Sequence, residues 1–315
     1  MSSTAIKARQ NEEKMLRYQF ASRYYYNTAE SFDILIWIVC FCAWLTLLLP
    51  TGGAWDIIAL CTSTALDVAA FIFFFQLGKN VKRASALRAY FDSYVLGIPA
   101  NKYADEKPTL LEEWALDITE KHADDYSMQS AHTGHDTPPG VRDWYEFSHE
   151  CTGLSAVFSC QMQNCWWTQK VSHIKQVVSV IVSFLFGALF CYVAFVAWPE
   201  KGIWQILLSA VGILLKVIER VIAKVNYRRL SNELAGSVKT LEANLSSAGI
   251  EELQKLIDER RATLSLESNL IHKLKANALS ARYLKLPWQQ HCHYDPLKYI
   301  TMKGVIYGNI SILGC

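Results

Sequence analysis

The chain has 315 residues, of which 51% are hydrophobic, 12% aromatic and 19% charged, and its formal net charge is +2. A net charge so near zero creates no strong field for a nucleic-acid polymer, so DNA and RNA are not expected as partners. The sequence contains no GxxxxGK[ST] loop, GxSxG elbow or HExxH helix, and no other pattern in it supports catalysis. We therefore expect neither an enzyme nor a bound cofactor.

Four apolar segments dominate the sequence, and they are grouped as two tight hairpins. They cover residues 34–49, 57–77, 177–198 and 203–221. A helix needs about 20 apolar residues to cross the hydrocarbon core of a bilayer. The pattern predicts an all-α membrane protein with two transmembrane helical hairpins, hence four spans, and a cytoplasmic helical domain.

The two hairpins divide the chain into six parts. We predict, in chain order, a cytoplasmic N-terminal helical arm (1–33), the first hairpin (34–77), a cytoplasmic helical segment (78–176), the second hairpin (177–221), cytoplasmic C-terminal helices (222–286) and a divergent tail (287–315).

Local patterns predict the helices outside the membrane. The arm is expected to be one helix over 4–32, since it contains no Gly or Pro. The second span should continue as a helix over 80–98. Thr-Leu-Leu-Glu at 109–112 has the spacing of a capping box, which predicts a helix start there. Residues 127–140 are expected to form a loop, and residues 246–249 to separate two amphipathic tail helices.

Lys and Arg are concentrated outside the hairpin turns. The arm holds five, the segment 78–176 holds ten and the chain from residue 219 onward holds fourteen, whereas the two turns together hold only Lys201. Cytoplasmic loops of membrane proteins carry an excess of Lys and Arg. We therefore expect both termini and the middle segment in the cytoplasm and both hairpin tips outside.

Two charged residues, Asp67 and Lys216, lie within apolar segments. A charge in the hydrocarbon core costs roughly 3 kcal/mol or more, so it normally faces a partner or a water-filled path. The two residues lie at similar predicted depths, and we expect them to pair.

The fourth span carries polar and small residues on one side, at helical spacing. They are Gln205, Ser209, Gly212, Lys216 and Glu219. One interpretation is a pore lining or gate formed together with Asp67. The alternatives are a polar seam that joins helices in a static bundle and a lysine that extends its ammonium to the inner interface.

The potential metal ligands do not form a recognised site. Nine cysteines are scattered along the chain without a CxxC pair, so neither a disulfide scaffold nor a zinc ribbon is expected. His132, His135, His149 and Cys151 match no standard zinc spacing. We expect no metal.

Short motifs flank the two hairpins. The arm contains IKARQN at 6–11 and RYYYNTA at 23–29, RASALRAYFD follows the first hairpin at 83–92, and DWY at 143–145 and CQMQNCW at 160–166 precede the second. Together with the four-span plan, these motifs resemble the S-4TM effectors. Those are four-transmembrane proteins associated with bacterial second-messenger oligonucleotide synthetases in CBASS-type anti-phage systems. The resemblance ends near Leu286.

The resemblance implies a function and partners. It implies an effector in the bacterial inner membrane that a cyclic oligonucleotide activates to form a pore or disrupt the membrane. The implied outcome is depolarisation and growth arrest of the infected cell, that is, abortive infection. The expected partners are the lipid bilayer and the cyclic oligonucleotide. Because a path through one four-helix chain is narrow, we also expect a homo-oligomer.

The motif residues are chemically suited to such a ligand. Arg offers bidentate contacts to phosphates, and Tyr and Trp offer stacking faces to bases. We therefore predict ligand contacts from Arg9, Gln10, Arg23, Tyr24, Arg83, Arg88, Trp144, Tyr145, Gln161, Asn164 and Trp166. Two structural interpretations compete: Arg and Tyr also anchor span ends at the membrane interface, and residues 143–145 also fit a helix-packing corner.

Two other functions fit the same four-span plan. One is a constitutive channel or small transporter without a nucleotide trigger. The other is a membrane scaffold that recruits partners through its cytoplasmic helices and conducts nothing.

Overall fold

A computed structural model describes residues 1–50, 52–147, 150–165, 185, 187–189, 191–193, 195–196 and 203–263, with the side chains of 203–205 and 207–211 left out. The regular structure in these ranges is helical, and they contain no strand. The predicted all-α class is therefore confirmed.

Eight helices are described here. In chain order they are α1 (Ser3–Gln10), α2 (Glu13–Leu45), α3 (Ala54–Leu96), α4 (Pro108–Lys121), α5 (Ala123–Ala131), α6 (153–165), α7 (Ile203–Ala243) and α8 (Ser247–Ala262).

The first hairpin consists of α2 and α3. Both helices are long and apolar enough to cross a membrane, in the stretches Glu13–Leu48 and Ala54–Leu96. Only 33% and 11% of their most apolar windows are buried by protein. Large side chains such as Phe71 and Phe75 are exposed there. An exposed apolar helix surface of this kind is suited to lipid rather than to the core of a soluble protein.

The prediction for the second hairpin is only partly covered by the structure. Most of 177–198 lies outside the described residues. The segment 203–221 forms the first half of α7, which continues as one helix to Ala243.

The second apolar segment continues as a helix into the polar part of the chain, as the sequence predicts. α3 is 43 residues long and ends at Leu96. Its C-cap, Gly97, has φ 63° in the left-handed region, and its N–H donates to the carbonyl of Tyr94. Glycine adopts this conformation without steric cost, which explains the helix stop.

The N-terminal arm is two helices rather than the predicted one. α1 ends at Gln10 and α2 begins at Glu13. The break has a tertiary cause: Asn11 donates from Nδ2 to Asp143 Oδ1 at 2.7 Å and accepts from the Asp143 N–H at 3.0 Å. This contact across 132 residues replaces the local helical geometry that propensity alone favours.

Two other local predictions need correction. α4 begins at Pro108 with Lys107 as N-cap and without a side-chain cap, so the predicted capping box is wrong. Proline is favoured at the first helical position because the N–H that it lacks would have no partner within the helix there.

Part of the expected loop 127–140 is helical, since α5 runs to Ala131. The tail interruption is confirmed, with Ser246 Oγ capping α8 by accepting from the Gly249 N–H.

Two apolar cores lie one after the other along the first hairpin. The larger one joins the N-terminal half of α2 and the C-terminal half of α3 to α1, α4, α6, α8 and the C-terminal half of α7. The smaller one lies among the apolar halves of α2, α3 and α7 and includes Ile36, Trp44, Leu77 and Ile213. α2 and α3 therefore connect the two cores without a break.

Candidate functional site

The sequence motifs meet around one fully buried carboxylate, Asp92 on α3. Tyr145 donates from its hydroxyl to Asp92 Oδ1 at 2.6 Å, and its oxygen accepts from Asn164 Nδ2 at 2.8 Å. Asn164 on α6 also reaches Asp92 Oδ2, at 3.4 Å. One residue from each of three motifs thus shares a single hydrogen-bond network, which we call the Asp92 network.

The last of the described helices, α8, completes the Asp92 network. Arg261 Nη1 lies 2.6 Å from Asp92 Oδ2 and 3.2 Å from Asp258 Oδ1. Gln254 donates to Asp92 Oδ2 at 3.1 Å, and Asn101, which follows α3, donates to Asp258 Oδ2 at 2.8 Å. α8 therefore supplies the cation that pairs with a carboxylate on α3, one of the two candidate spans.

The arm and α6 attach to the same network through amide side chains. Gln10 accepts from the Tyr145 N–H at 2.8 Å and donates to the Tyr145 carbonyl at 3.1 Å. Gln161 donates to the Ile250 carbonyl at 2.9 Å and to Gln254 at 3.2 Å. Buried amide pairs of this kind fix the relative position of distant chain segments.

Burial changes the acid–base properties of the Asp92 network. It raises the pKa of the Tyr145 hydroxyl well above its usual value, and the neighbouring Asp92 adds to the effect. Burial also raises the pKa of Asp258 to about 6, against the opposing effect of Arg261. Although burial alone lowers it, Asp92 and Asp258 raise the pKa of Arg261 above its usual range. Arg261 therefore remains the charged partner of Asp92.

Four residues predicted as ligand contacts are buried in this arrangement: Gln10, Tyr145, Gln161 and Asn164. In this conformation each of them hydrogen-bonds within the protein, which for 143–145 is the packing-corner alternative, although Gln161 Oε1 is buried without a partner among the described residues. Their contact with a ligand stays a prediction and requires the network to open. Trp166 lies outside the described residues.

Two predicted arginines are half-buried and stack on aromatic rings. The Arg88 guanidinium carbon lies 3.7 Å from the centre of the Trp144 ring. That of Arg83 lies 5.1 Å from the centre of the Trp114 ring and 5.5 Å from that of Tyr25. A guanidinium group and an aromatic face side by side combine the chemistry suited to a phosphate with that suited to a base.

The three remaining predicted residues hold separate parts of the arm. Arg23 donates to Gln129 Oε1 at 2.8 Å and to the carbonyls of Pro139 and Gly140. The Tyr24 ring lies 4.3 Å from that of His122. Arg9 donates to the Tyr94 carbonyl at 3.1 Å. The structure therefore does not gather these three with Arg83 and Arg88 around one cavity.

A half-open groove of about 430 Å³ lies between α3, the loop after it and the end of α8. Lys82, Ser85, Lys102, Tyr103 and Glu106 contribute to its wall. Lys82 Nζ pairs with Glu106 at 2.8 Å across it. No sequence pattern predicts this groove, since residues 102–106 form an irregular loop.

The charged residues near the apolar segments do not pair as predicted. Lys216 Nζ lies 2.8 Å from Asp33 Oδ1 and 2.6 Å from Glu219 Oε2, so the predicted pairing with Asp67 is wrong. Arg220 pairs with Asp33 as well. Asp33, which immediately precedes the first apolar segment, lies within ion-pair distance of Lys216 and takes the place predicted for Asp67. Asp67 Oδ1 is buried and has no hydrogen-bond partner in the described ranges.

The structure covers only part of the predicted polar stripe on α7. Glu219 and Lys216 are placed, whereas the side chains of Gln205 and Ser209 lie outside the described atoms. Among the groups of potential metal ligands in the described residues, none is arranged to hold a metal ion.

Sequence reasoning left out the central residue of the network and its partners on α8. Asp92 lies in the motif at 83–92, so a signal for it was present. Gln254, Asp258 and Arg261 lie in an amphipathic helix, where polar residues normally face solvent, so no sequence pattern indicated their burial.

The chain matches one known family over the part that carries these motifs. A family described as SMODS-associating 4TM effector domain matches residues 4–253, which include every motif named above. Curated proteins and solved structures give no match. Since the match covers well over half of the 315 residues, the chain belongs to the family of SMODS-associating 4TM effector domains.

Proposed function

We propose that this membrane-associated effector acts in anti-phage defence and is activated by a cyclic oligonucleotide made by its partner synthetase. Binding converts a closed assembly into one that conducts or disrupts the bacterial inner membrane, which depolarises the cell and arrests growth. The effect comes from this leak rather than from catalysis. The family description, an effector that associates with SMODS synthetases, supports this reading.

The observation that carries the proposal is the continuity of α2 and α3. Each helix is part of both apolar cores. The Asp92 network holds the cytoplasmic half of α3 against the arm, α6 and α8. A ligand that favours another arrangement of the network therefore also favours another position of the apolar halves. A ligand shifts such an equilibrium only by its differential affinity for the two states.

The proposed topology has four spans with both termini in the cytoplasm. Two candidate spans lie in the first hairpin, and the second hairpin contributes 177–198 and the first half of α7. The Lys and Arg distribution supports this orientation. Two introduced thiols test this orientation, one placed before Ser3 and one at Trp55. In intact cells an impermeant maleimide should label the thiol at Trp55 and not the one before Ser3.

The proposed ligand contacts are the predicted arginines and aromatic residues, led by Arg83 and Arg88. Their guanidinium groups stack on Trp114 and Trp144, next to rings that offer faces for bases. The groove beside Lys82 and Lys102 is a second positively charged surface on the same helix or the loop after it. We propose a homo-oligomer, because one chain of four spans leaves little room for a path.

The deciding experiment uses the purified full chain in dye-loaded liposomes with a panel of cyclic di- and trinucleotides. We expect one member of the panel to trigger leakage. Binding of each nucleotide is measured separately by calorimetry. Arg88→Gln should weaken binding, and Lys102→Gln tests the groove. Lys121→Gln is the matched control, because Lys121 is exposed and pairs only with Asp117 in the same helix among the described residues.

The outcomes separate the functions left open by the sequence. Leakage without any nucleotide would indicate a constitutive channel. Folded, inserted protein that fails to leak with every nucleotide of the panel would contradict the pore and favour a transporter or a scaffold. Binding without leakage would retain the ligand but reject membrane disruption.

A further inference from the structure

The charges around α7 are unequally paired. Lys216 is only 3% exposed and contacts both Asp33 and Glu219, and Arg220 also contacts Asp33. Asp67 on α3, in contrast, has a buried Oδ1 without a hydrogen-bond partner among the described residues. An unpaired carboxylate inside an apolar segment is costly, so another arrangement that pairs it gains free energy there.

Gly212 occupies the position on α7 that faces Asp67. A Cβ built on Gly212 would lie 2.7 Å from Asp67 Oδ1 and 3.2 Å from Cys40 Sγ. The absent side chain therefore lets α7 lie against both α2 and α3 at this level. It also leaves Asp67 Oδ1 without a donor among the described side chains at the point where α7 passes it.

The spacing along α7 supplies that donor one turn away. Gly212, Lys216 and Arg220 are each four residues apart, so they lie on one side of the helix at intervals of about 6 Å. A one-turn slide of α7 toward Ile203 would put Lys216 at the level of Asp67 and Arg220 at the level of Asp33. Both cations would then have a carboxylate, and Asp67 would be paired.

We propose that α7 has two registers that differ by one helical turn, and that Lys216 exchanges Asp33 for Asp67 between them. The described register places the lysine nearer the polar end of the span, where its charge is less costly. The shifted register takes Lys216 deeper but pairs Asp67. One-turn shifts of a helix between two packed positions are an established kind of switch.

The exchange of partners follows from the geometry alone, and only its link to conduction depends on the proposed function. In that link, ligand binding favours the shifted register. The polar side of α7, which carries Lys216 and Glu219, then moves along the span in the direction of Ile203. Different side chains of α7 then line the path between the helices.

A disulfide trap reports the described register. In a Gly212→Cys variant the two Cβ atoms of residues 40 and 212 are 3.8 Å apart, which suits a disulfide. The new Cβ displaces only the terminal Oδ1 of Asp67, which can rotate. The full chain carries Cys40 and Gly212→Cys, with its other cysteines replaced by Ser or Ala. The rate of crosslinking after mild oxidation is read from the loss of thiol labelling. Cys40→Ala in the same background should abolish the crosslink.

Charge variants in this background test the exchange. Asp33→Asn should slow crosslinking about tenfold. In the described register it removes the contacts of Asp33 with both Lys216 and Arg220, whereas in the shifted register it removes only the contact with Arg220, so the described register becomes less populated. Adding Asp67→Asn should restore the rate to within about twofold, because the shifted register then loses its acceptor. Glu219→Gln is the matched control: Glu219 moves with Lys216 on α7, so the rate should stay unchanged.

The crosslinking rates distinguish an exchange of partners from a purely structural role of Asp33. If Asp33→Asn and the double variant crosslink equally slowly, Asp33 acts only as a structural anchor and the exchange is wrong. If Asp33→Asn does not fold, Asp67→Asn alone still decides: it should keep or speed the crosslinking, and a slower rate overturns the proposal. In liposomes, the oxidised trap should block ligand-triggered leakage and reduction should restore it. Absence of leakage in unmodified protein would reject the proposed function without affecting the crosslinking result.

Discussion

Two groups of buried charges in this protein are built differently. Around Asp92, the carboxylate accepts from a tyrosine, two amides and an arginine contributed by three further parts of the chain. Around α7, Lys216 contacts two carboxylates while Asp67 contacts none of the described donors. The first group specifies one arrangement. The second leaves a carboxylate that another arrangement can satisfy. The same residue type thus fixes the fold in one region and leaves room for a change in the other.

The largest expected effect is that of Asp92→Asn. The amide brings N–H donors toward the donors of Tyr145 and Gln254 and removes the nearer of the two carboxylates that pair with Arg261, leaving only Asp258 among the described residues. Breaking a buried ion pair typically costs about 3–5 kcal/mol. We expect a fall in the melting temperature of the detergent-solubilised protein, or no folded protein. A melting temperature close to that of the parent would mean that the network is not rigid.

The pH dependence of stability should reveal Asp258. Its pKa is raised to about 6 by burial, so the folded protein binds this proton more tightly than the unfolded chain does. This contribution to stability is complete below the ordinary aspartate pKa of about 4 and is lost as the pH rises through 6. Asp258→Asn should remove this slope from unfolding measurements between pH 4 and 7.

Asp136→Asn provides a control of opposite sign. The Thr133 N–H donates to Asp136 and lowers its pKa, so its contribution is lost as the pH falls. If Asp258→Asn leaves the pH profile unchanged, the carboxyl is not buried as described.

Tyr145→Phe should have a moderate effect. It removes the hydroxyl between Asp92 and Asn164 but keeps the ring, and leaving buried partners unpaired costs about 1–3 kcal/mol. Tyr126→Phe is the matched control, because the Tyr126 hydroxyl bonds to Glu13 at an exposed position. Equal shifts in chemical unfolding for the two variants would contradict the special position of Tyr145.

The smallest effect, and the sharpest contrast, is expected from Asp67→Asn. This is the same substitution as at Asp92, yet it removes an unpaired charge rather than a paired one. We expect the melting temperature to stay the same or rise, by the equivalent of about 1 kcal/mol or less. A loss of stability similar to that of Asp92→Asn would show that Asp67 has a partner and would remove the contrast between the two regions.

Local patterns in the sequence predicted the helical class, the continuation of the second apolar segment as a helix over 80–98, and the tail interruption at 246–249. Each depends on residues close together in the chain: an apolar run, helix formers followed by Pro99, or a short Ser-Ser-Ala-Gly stretch. The break at Asn11 and the pairing of Lys216 with Asp33 were not predictable in this way. They depend on side chains that meet across more than 130 residues, and a depth estimate from residue counts does not fix which carboxylate a lysine reaches.

The sequence motifs contained several residues of the candidate site but did not indicate how these residues are arranged. The motifs contained Gln10, Tyr145, Gln161 and Asn164, but chemistry suited to a ligand is also suited to a buried network. Residue type alone does not separate the two, because an amide or hydroxyl serves either purpose. Their burial is a property of how α3, α6 and α8 pack.

The unbroken course of α3 has a consequence for helical phase. Its 43 residues extend for about 64 Å and contain Gly78 between the apolar half and the polar half. Each residue turns a helix by about 100°, so one alanine inserted after Gly78 rotates every exposed apolar side chain before it by that angle relative to the Asp92 network. An insertion of seven residues returns the phase to within about 20° while lengthening the helix by about 10 Å. Any fusion of the polar half of α3 to another apolar hairpin must therefore preserve the angle of α3 before its length.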